Sequence, residues 1–78
     1  MKTDFIIEFL QVNIDSFSIG REFTLSEIFC PAAWNRIDLP TRRNFGIWFN
    51  SQVSGKIIIN CKDTTKKTSD GREIYVRI

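Results

Sequence analysis

Residues 42–56 read RRNFGIWFNSQVSGK, and Phe45, Phe49 and Val53 recur there at every fourth position. That spacing puts the three on one side of an α-helix. Pro40 fits the first turn, where its missing amide hydrogen is not needed, and Gly55 stands where a helix end favours a left-handed residue. The pattern predicts a helix over 41–54. Gly46 weakens such a helix by about 1 kcal/mol relative to Ala, which suggests the close approach of another backbone. At 100° per residue the opposite face carries Arg43, Ile47, Asn50, Ser51 and Ser54, with Trp48 at its edge.

Outward from this helix, TDFIIEFLQVNIDSF (residues 3–17) spaces Phe5, Ile6, Phe9, Leu10, Asn13 and Phe17 by threes and fours. This is an amphipathic helix opened by Thr3 or Asp4 and ending between Asn13 and Phe17. REFTLSEIF (residues 21–29) supplies a short extended stretch at Glu22 and Phe23, then a capping box of Thr24 and Glu27 before Leu25, Ile28 and Phe29. Pro31 keeps that helix short. Ala32 to Arg36 adds another turn, with Trp34 and Ile37 inward.

KIIINC (residues 56–61) and REIYVRI (residues 72–78) read as strands, rich in branched residues. Between them KDTTKKTSDG reads as a ten-residue basic loop with Lys62, Lys66 and Lys67, closed by Arg72. In the last strand Ile74, Val76 and Ile78 alternate with Tyr75 and Arg77, so one face is buried and the other wet.

A chain of 78 residues makes one domain, which buries only about 60% of its extended surface on folding. At 42% hydrophobic and 13% aromatic it carries enough apolar mass for one core. Its longest apolar runs fall far short of the roughly 20 residues that span a bilayer, and no signal-peptide pattern is present. A cytoplasmic location is therefore expected. Cys30 and Cys61, without a CxxC motif or any histidine, form neither a zinc site nor a disulfide scaffold, and are expected as reduced, partly buried thiols. No cofactor is expected.

Net charge is +2, unevenly distributed. Residues 1–38 hold three basic groups against six acidic ones, a balance of −3; residues 39–78 hold eight against three, a balance of +5. The asymmetry points to a polyanion-facing side. An enzyme is not expected: there is no histidine, no Gly-rich phosphate loop and no carboxylate pair at helical spacing in an apolar setting.

The order is helix, short strand, angled helical element, longer helix, and hairpin. It resembles the winged helix-turn-helix architecture, an α+β fold of three helices with a short first strand and a C-terminal β-hairpin wing. More narrowly, FTLSEIF (residues 23–29), Trp34 and RRNFGIWFNSQVSGKI (residues 42–57), with Tyr75, are similar to a small prokaryotic family of winged-helix-like domains of unknown function. The resemblance leaves residues 1–19 outside its pattern, and Trp48 and Asn50 stand where such domains often have basic residues. It implies that the 41–54 helix enters the major groove of duplex DNA while the 62–72 wing rests on phosphates. Arg43, Ile47, Asn50 and Ser51 are then the base-facing residues, and Arg42, Lys62, Lys66, Lys67 and Arg72 hold the backbone. Arg42 and Arg43, near the positive end of the helix, call for a partner: Asp38, Glu27 or a phosphate. A transcriptional, phage or plasmid regulator fits this pattern, and a homodimer is compatible with so small a module. The alternative is a protein-interaction module, an inhibitor or adaptor without DNA binding, whose contact face is the N-terminal helix with Phe5, Phe9 and Trp48.

Overall fold

A computed structural model describes residues 3–78, with side chains from residue 5 onward, so the expected Thr3 or Asp4 cap lies outside the described residues. The chain order is α1 (Thr3–Asp15), β1 (Glu22–Phe23), α2 (Leu25–Phe29), α3 (Pro31–Trp34), α4 (Leu39–Ser54), β2 (Cys61–Lys67) and β3 (Glu73–Arg77). The strands make an antiparallel sheet in the order β1-β3-β2. Among the described residues this is an α+β fold of four helices, one more than the sequence suggests, because the angled element is two short helices.

The core joins every layer: Leu10 and Ile14 of α1, Leu25 and Ile28 of α2, Trp34 of α3, Phe49 of α4, and Phe23, Cys61 and Tyr75 of the sheet, with Ile58 between. Tyr75 is its hub. Its ring meets Phe49 edge-on at 5.0 Å and lies 6.0 Å from Phe23. On α1 the stripe is rotated from the expected one: Leu10 and Ile14 are fully buried, whereas Phe5 and Phe9 are 60% and 43% exposed. Asn13 anchors α1 by donating to the Ile28 carbonyl at 2.6 Å.

The capping box of Thr24 and Glu27 does not form. The Thr24 hydroxyl pairs with Ser26 at 3.0 Å, and the Glu27 carboxylate lies 3.8 Å from Arg21. Cys30 separates α2 from α3 in extended conformation, φ −166°, as the residue before Pro31 must avoid helical backbone. Trp34 is buried and Ile37 half-buried.

Helix α4 starts two residues earlier than expected, capped by Asp38, which accepts from the Thr41 amide at 3.2 Å and the Thr41 hydroxyl at 2.7 Å. Its other end corrects the role of Gly55. That residue has φ −80°, and Lys56 takes the left-handed position at φ +59°. The Lys56 amide donates to Val53 and the Ile57 amide to Gln52, the two bonds of a Schellman motif. Gly46 also departs from expectation, because no atom beyond its chain neighbours and its own helical backbone lies within 4 Å of where its Cβ would stand. No neighbouring backbone requires it.

The isoleucine run is not a strand. The Ile57 and Ile58 amides are turned back onto Gln52, and Ile59 is claimed by Gln11, which both donates to its carbonyl and accepts from its amide at 2.9 Å. Asn60 then takes φ +67° and donates to Asp15 at 3.0 Å. Only Ile58 is buried. These bonds use the groups that a ladder would need, so β2 begins at Cys61 and runs through the segment expected as a loop. Its pairing slips between Asp63 and Lys67, where Thr64, Thr65 and Lys66 stand opposite the single Ile74 of β3, with Thr65 at φ +64°. The real turn is Thr68 to Arg72, where Gly71 at φ +86° donates to the Thr68 carbonyl. On β3, Tyr75 is the residue pointing inward, not the Ile74, Val76, Ile78 set, of which Ile78 is exposed. Cys30 is exposed and Cys61 buried, its thiol pushed up to about 11 by burial.

Candidate functional site

The α4 sequence LPTRRNFGIWFNSQVS contains no acidic residue, so its solvent face is charged in one sense only. Arg42 lies along it with its Nε donating to the Ile37 carbonyl at 2.9 Å, rather than pairing with Asp38 or Glu27. Arg43 is exposed and forms no ion pair among the described residues. Ile47, one turn on, is 71% exposed.

Across from this face stands the β2–β3 hairpin, and between them runs a groove of about 910 Å³. Leu25, Trp34, Leu39 and Tyr75 give it an apolar lining, Arg42, Arg43, Gly46, Ile47 and Asn50 come from α4, and Asp63, Lys67, Asp70, Arg72 and Glu73 from the hairpin side. Six of the nine residues expected from sequence thus meet here: Arg42, Arg43, Ile47, Asn50, Lys67 and Arg72. Ser51, Lys62 and Lys66 do not line the groove, although all three are exposed.

Three of the hairpin cations are partnered. Lys66 lies 3.6 Å from Glu22, Lys67 lies 3.6 Å from Glu73, and the Arg72 Nε lies 3.0 Å from Asp70. Such exposed pairs contribute about 0–1 kcal/mol, so a stronger anion displaces them easily. Arg72 also reaches the Ser26 hydroxyl at 3.3 Å, which aims it across the groove.

Asn50 has a role that sequence reasoning missed. Its amide nitrogen donates to Asp63 at 3.0 Å and to the Tyr75 hydroxyl at 3.1 Å, tying α4 to both hairpin strands. Burial pushes the Tyr75 hydroxyl up to about 12, so it stays protonated. Burial and the adjacent Asp63 carboxylate raise Glu73 above the usual carboxylate range, against the pull of Lys67. Asp63 and Glu73 are separated by ten residues in sequence, and the antiparallel pairing that sets Asp63 opposite Tyr75 brings them to the same end of the groove.

The expected contact face divides. Phe5 and Phe9 are exposed, but Trp48 is half-buried, edge-on to Phe45 at 5.4 Å. Trp48 lines a second depression of about 360 Å³ with Ile6, Thr41, Asn44 and Phe45. Among the described residues no group of three or more His, Cys, Asp or Glu is placed to hold a metal ion, and no helix is long and apolar enough to cross a membrane.

Fold and groove define a small α+β domain whose longest helix faces a hairpin across a mixed-charge cleft. The chain belongs to the family described as Domain of unknown function (DUF1413), whose profile matches residues 8–77. That match takes in most of α1, beyond the span that the motif pattern covers. No curated protein and no solved structure matches the chain.

Proposed function

We propose that the protein is a winged-helix module that binds duplex DNA, with α4 in the major groove and the β2–β3 hairpin as the wing on phosphates. The element order and the β1-β3-β2 sheet support this, with α2 and α3 together standing as the helix before the recognition helix. The observation that carries the reading is the acid-free face of α4 set across a groove from a lysine-bearing hairpin. At 16 residues α4 is about 24 Å long and enters a major groove about 12 Å wide. Arg43 then suits a guanine edge, Ile47 a thymine methyl, and Ser51 a base or phosphate. Lys62, Lys66, Lys67 and Arg72, with Arg42, hold the backbone, while Asn50 keeps helix and wing at their spacing. A regulator of transcription, in a phage or plasmid context, uses such a module.

Fluorescence anisotropy with a labelled mixed-sequence duplex of about 20 base pairs tests the reading. Five phosphate contacts give a slope of about −4.5 in log affinity against log salt. Lys66→Ala with Lys67→Ala should reduce that slope by about 1.8 and leave the melting temperature in place. Absence of binding at low salt overturns the reading. It would favour a protein partner instead, for which the exposed stripe of Phe5, Phe9 and Val12 on α1 is the supporting observation.

A further inference from the structure

Gly46 sits in the middle of α4, where glycine weakens a helix. Three structural reasons would justify it, and none applies. Its backbone is not in the left-handed region, no other backbone approaches it, and no side chain packs into the space a methyl would occupy. What it does border is the groove. Arg43 precedes it by three residues and Arg42 by four, so both arginines lie over the notch on the same side of the helix. Arg72 enters from the hairpin side, steadied by Ser26. The three acidic groups of the groove are already engaged, Asp70 by Arg72, Glu73 by Lys67 and Asp63 by Asn50. Asn50 is neutral, so Asp63 keeps its charge and the groove holds four cations against three carboxylates; two of those cations, Arg42 and Arg43, come from a helix with no carboxylate of its own and flank a patch of bare backbone.

We propose that the notch at Gly46 seats one phosphodiester group of the bound DNA, with Arg42 on the helix side and Arg72 on the hairpin side, while Arg43 is left to the base edge. This rests on the DNA-binding reading and deepens it. A glycine lets a ligand come closer to a helix than any residue with a Cβ does, and a phosphate between two guanidinium groups gains paired, charge-assisted hydrogen bonds. The glycine is kept at the expense of helix stability because the ligand, not the fold, needs the space.

The substitution Gly46→Ala separates fold from binding. It should raise the melting temperature by about 4–8 °C, the shift a domain of this size shows for one favourable helix substitution. It should weaken binding of the same duplex by about tenfold or more, with the salt slope lowered by about 0.9, the signature of one lost phosphate. Gly46→Ser, with a larger polar side chain in the same space, should weaken it further. Wild-type affinity in both variants would overturn the seat while leaving DNA binding intact. Weaker binding at unchanged slope would also overturn it, because the notch would then take an uncharged part of the DNA. A lower melting temperature in both variants would show that the space is not open, which removes the premise. Failure of the wild-type protein to bind the duplex at low salt would overturn the DNA reading itself, and the seat with it.

Discussion

Asn50→Ala should unfold the protein more readily without touching any apolar contact. Asn50 is the polar tie between α4 and the hairpin, donating to Asp63 at 3.0 Å and to the Tyr75 hydroxyl at 3.1 Å. A hydrogen bond to a neutral acceptor contributes about 0.5–1.5 kcal/mol and one to a charged acceptor about 1.5–3 kcal/mol. One amide nitrogen serves both, and the site is half-buried, so the combined loss is about 2–4 kcal/mol. At about 4–8 °C per kcal/mol for a domain of this size, the melting temperature should fall by about 8–32 °C. Thermal unfolding followed by far-ultraviolet circular dichroism at pH 7 measures it directly.

A double-mutant cycle with Tyr75→Phe isolates the part that passes through the hydroxyl. Tyr75→Phe alone should cost about 0.5–1.5 kcal/mol, and the double variant less than the sum of the two. Two results would refute the reasoning. One is an Asn50→Ala protein as stable as wild type with its DNA affinity lost, which would make Asn50 a base-reading residue. The other is strict additivity with Tyr75→Phe, which would dissolve the network.

Phe49 is fully buried against Tyr75, so Phe49→Ala should cost about 3–5 kcal/mol in urea unfolding; a smaller loss than 1 kcal/mol would displace α4 from its register. Lys56→Gly should stabilise by about 0.5–1 kcal/mol, because Lys56 holds φ +59° at the end of α4, and a lower urea midpoint would contradict that conformation. Glu73 has its carboxyl raised by burial and by Asp63, so the stability that its protonated form contributes is complete below about pH 4.5 and lost as pH rises through its higher folded value. Asp15, lowered by its bonds from Asn60 and Gln11, behaves oppositely, its contribution being present above about pH 4 and lost as pH falls through its folded value. Glu73→Gln should therefore flatten the decline on the alkaline side of pH 4.5 and keep the acid-side loss, with a change below about 1 kcal/mol at pH 7; melting curves from pH 3 to 7 show whether the two limbs separate.

The helices were legible because their signals are local. Phe45, Phe49 and Val53 repeat at helical spacing, Pro40 marks a first turn, and Pro31 forces a break. The hairpin was misread by one segment because the competing signal is distant. A run of three isoleucines favours a strand in isolation, yet Gln11, forty-eight residues away, takes both backbone groups of Ile59, and Asn60 turns the chain. The pairing of Lys and Thr residues in β2 is made by β3 and not by their own propensity, as is usual for strands at a sheet edge. The same applies at the groove. Its cations could be read from sequence as a basic face and a basic loop, but Asn50 facing Asp63 and Tyr75 depends on the β2–β3 pairing that sets Asp63 opposite Tyr75, which no local pattern encodes.

On α4 the departures from local helix rules gather on the groove-facing side, and their grouping bears on the binding proposed for that face. Helix α4 has a satisfied cap, a Schellman end and a buried Phe49, all consistent with a helix under ordinary selection for stability. On its groove-facing side it has a bare glycine in mid-helix, a largely exposed isoleucine, and two arginines toward its positive end with no acidic residue in its first turn. Each choice is unfavourable for an isolated fold, by amounts of a few tenths to about 1 kcal/mol. Scattered, they would mean little. Gathered on adjacent turns facing one groove, they are accounted for together by a single anionic ligand with apolar edges, since it would need the glycine's space, the arginines' charge and the isoleucine's contact.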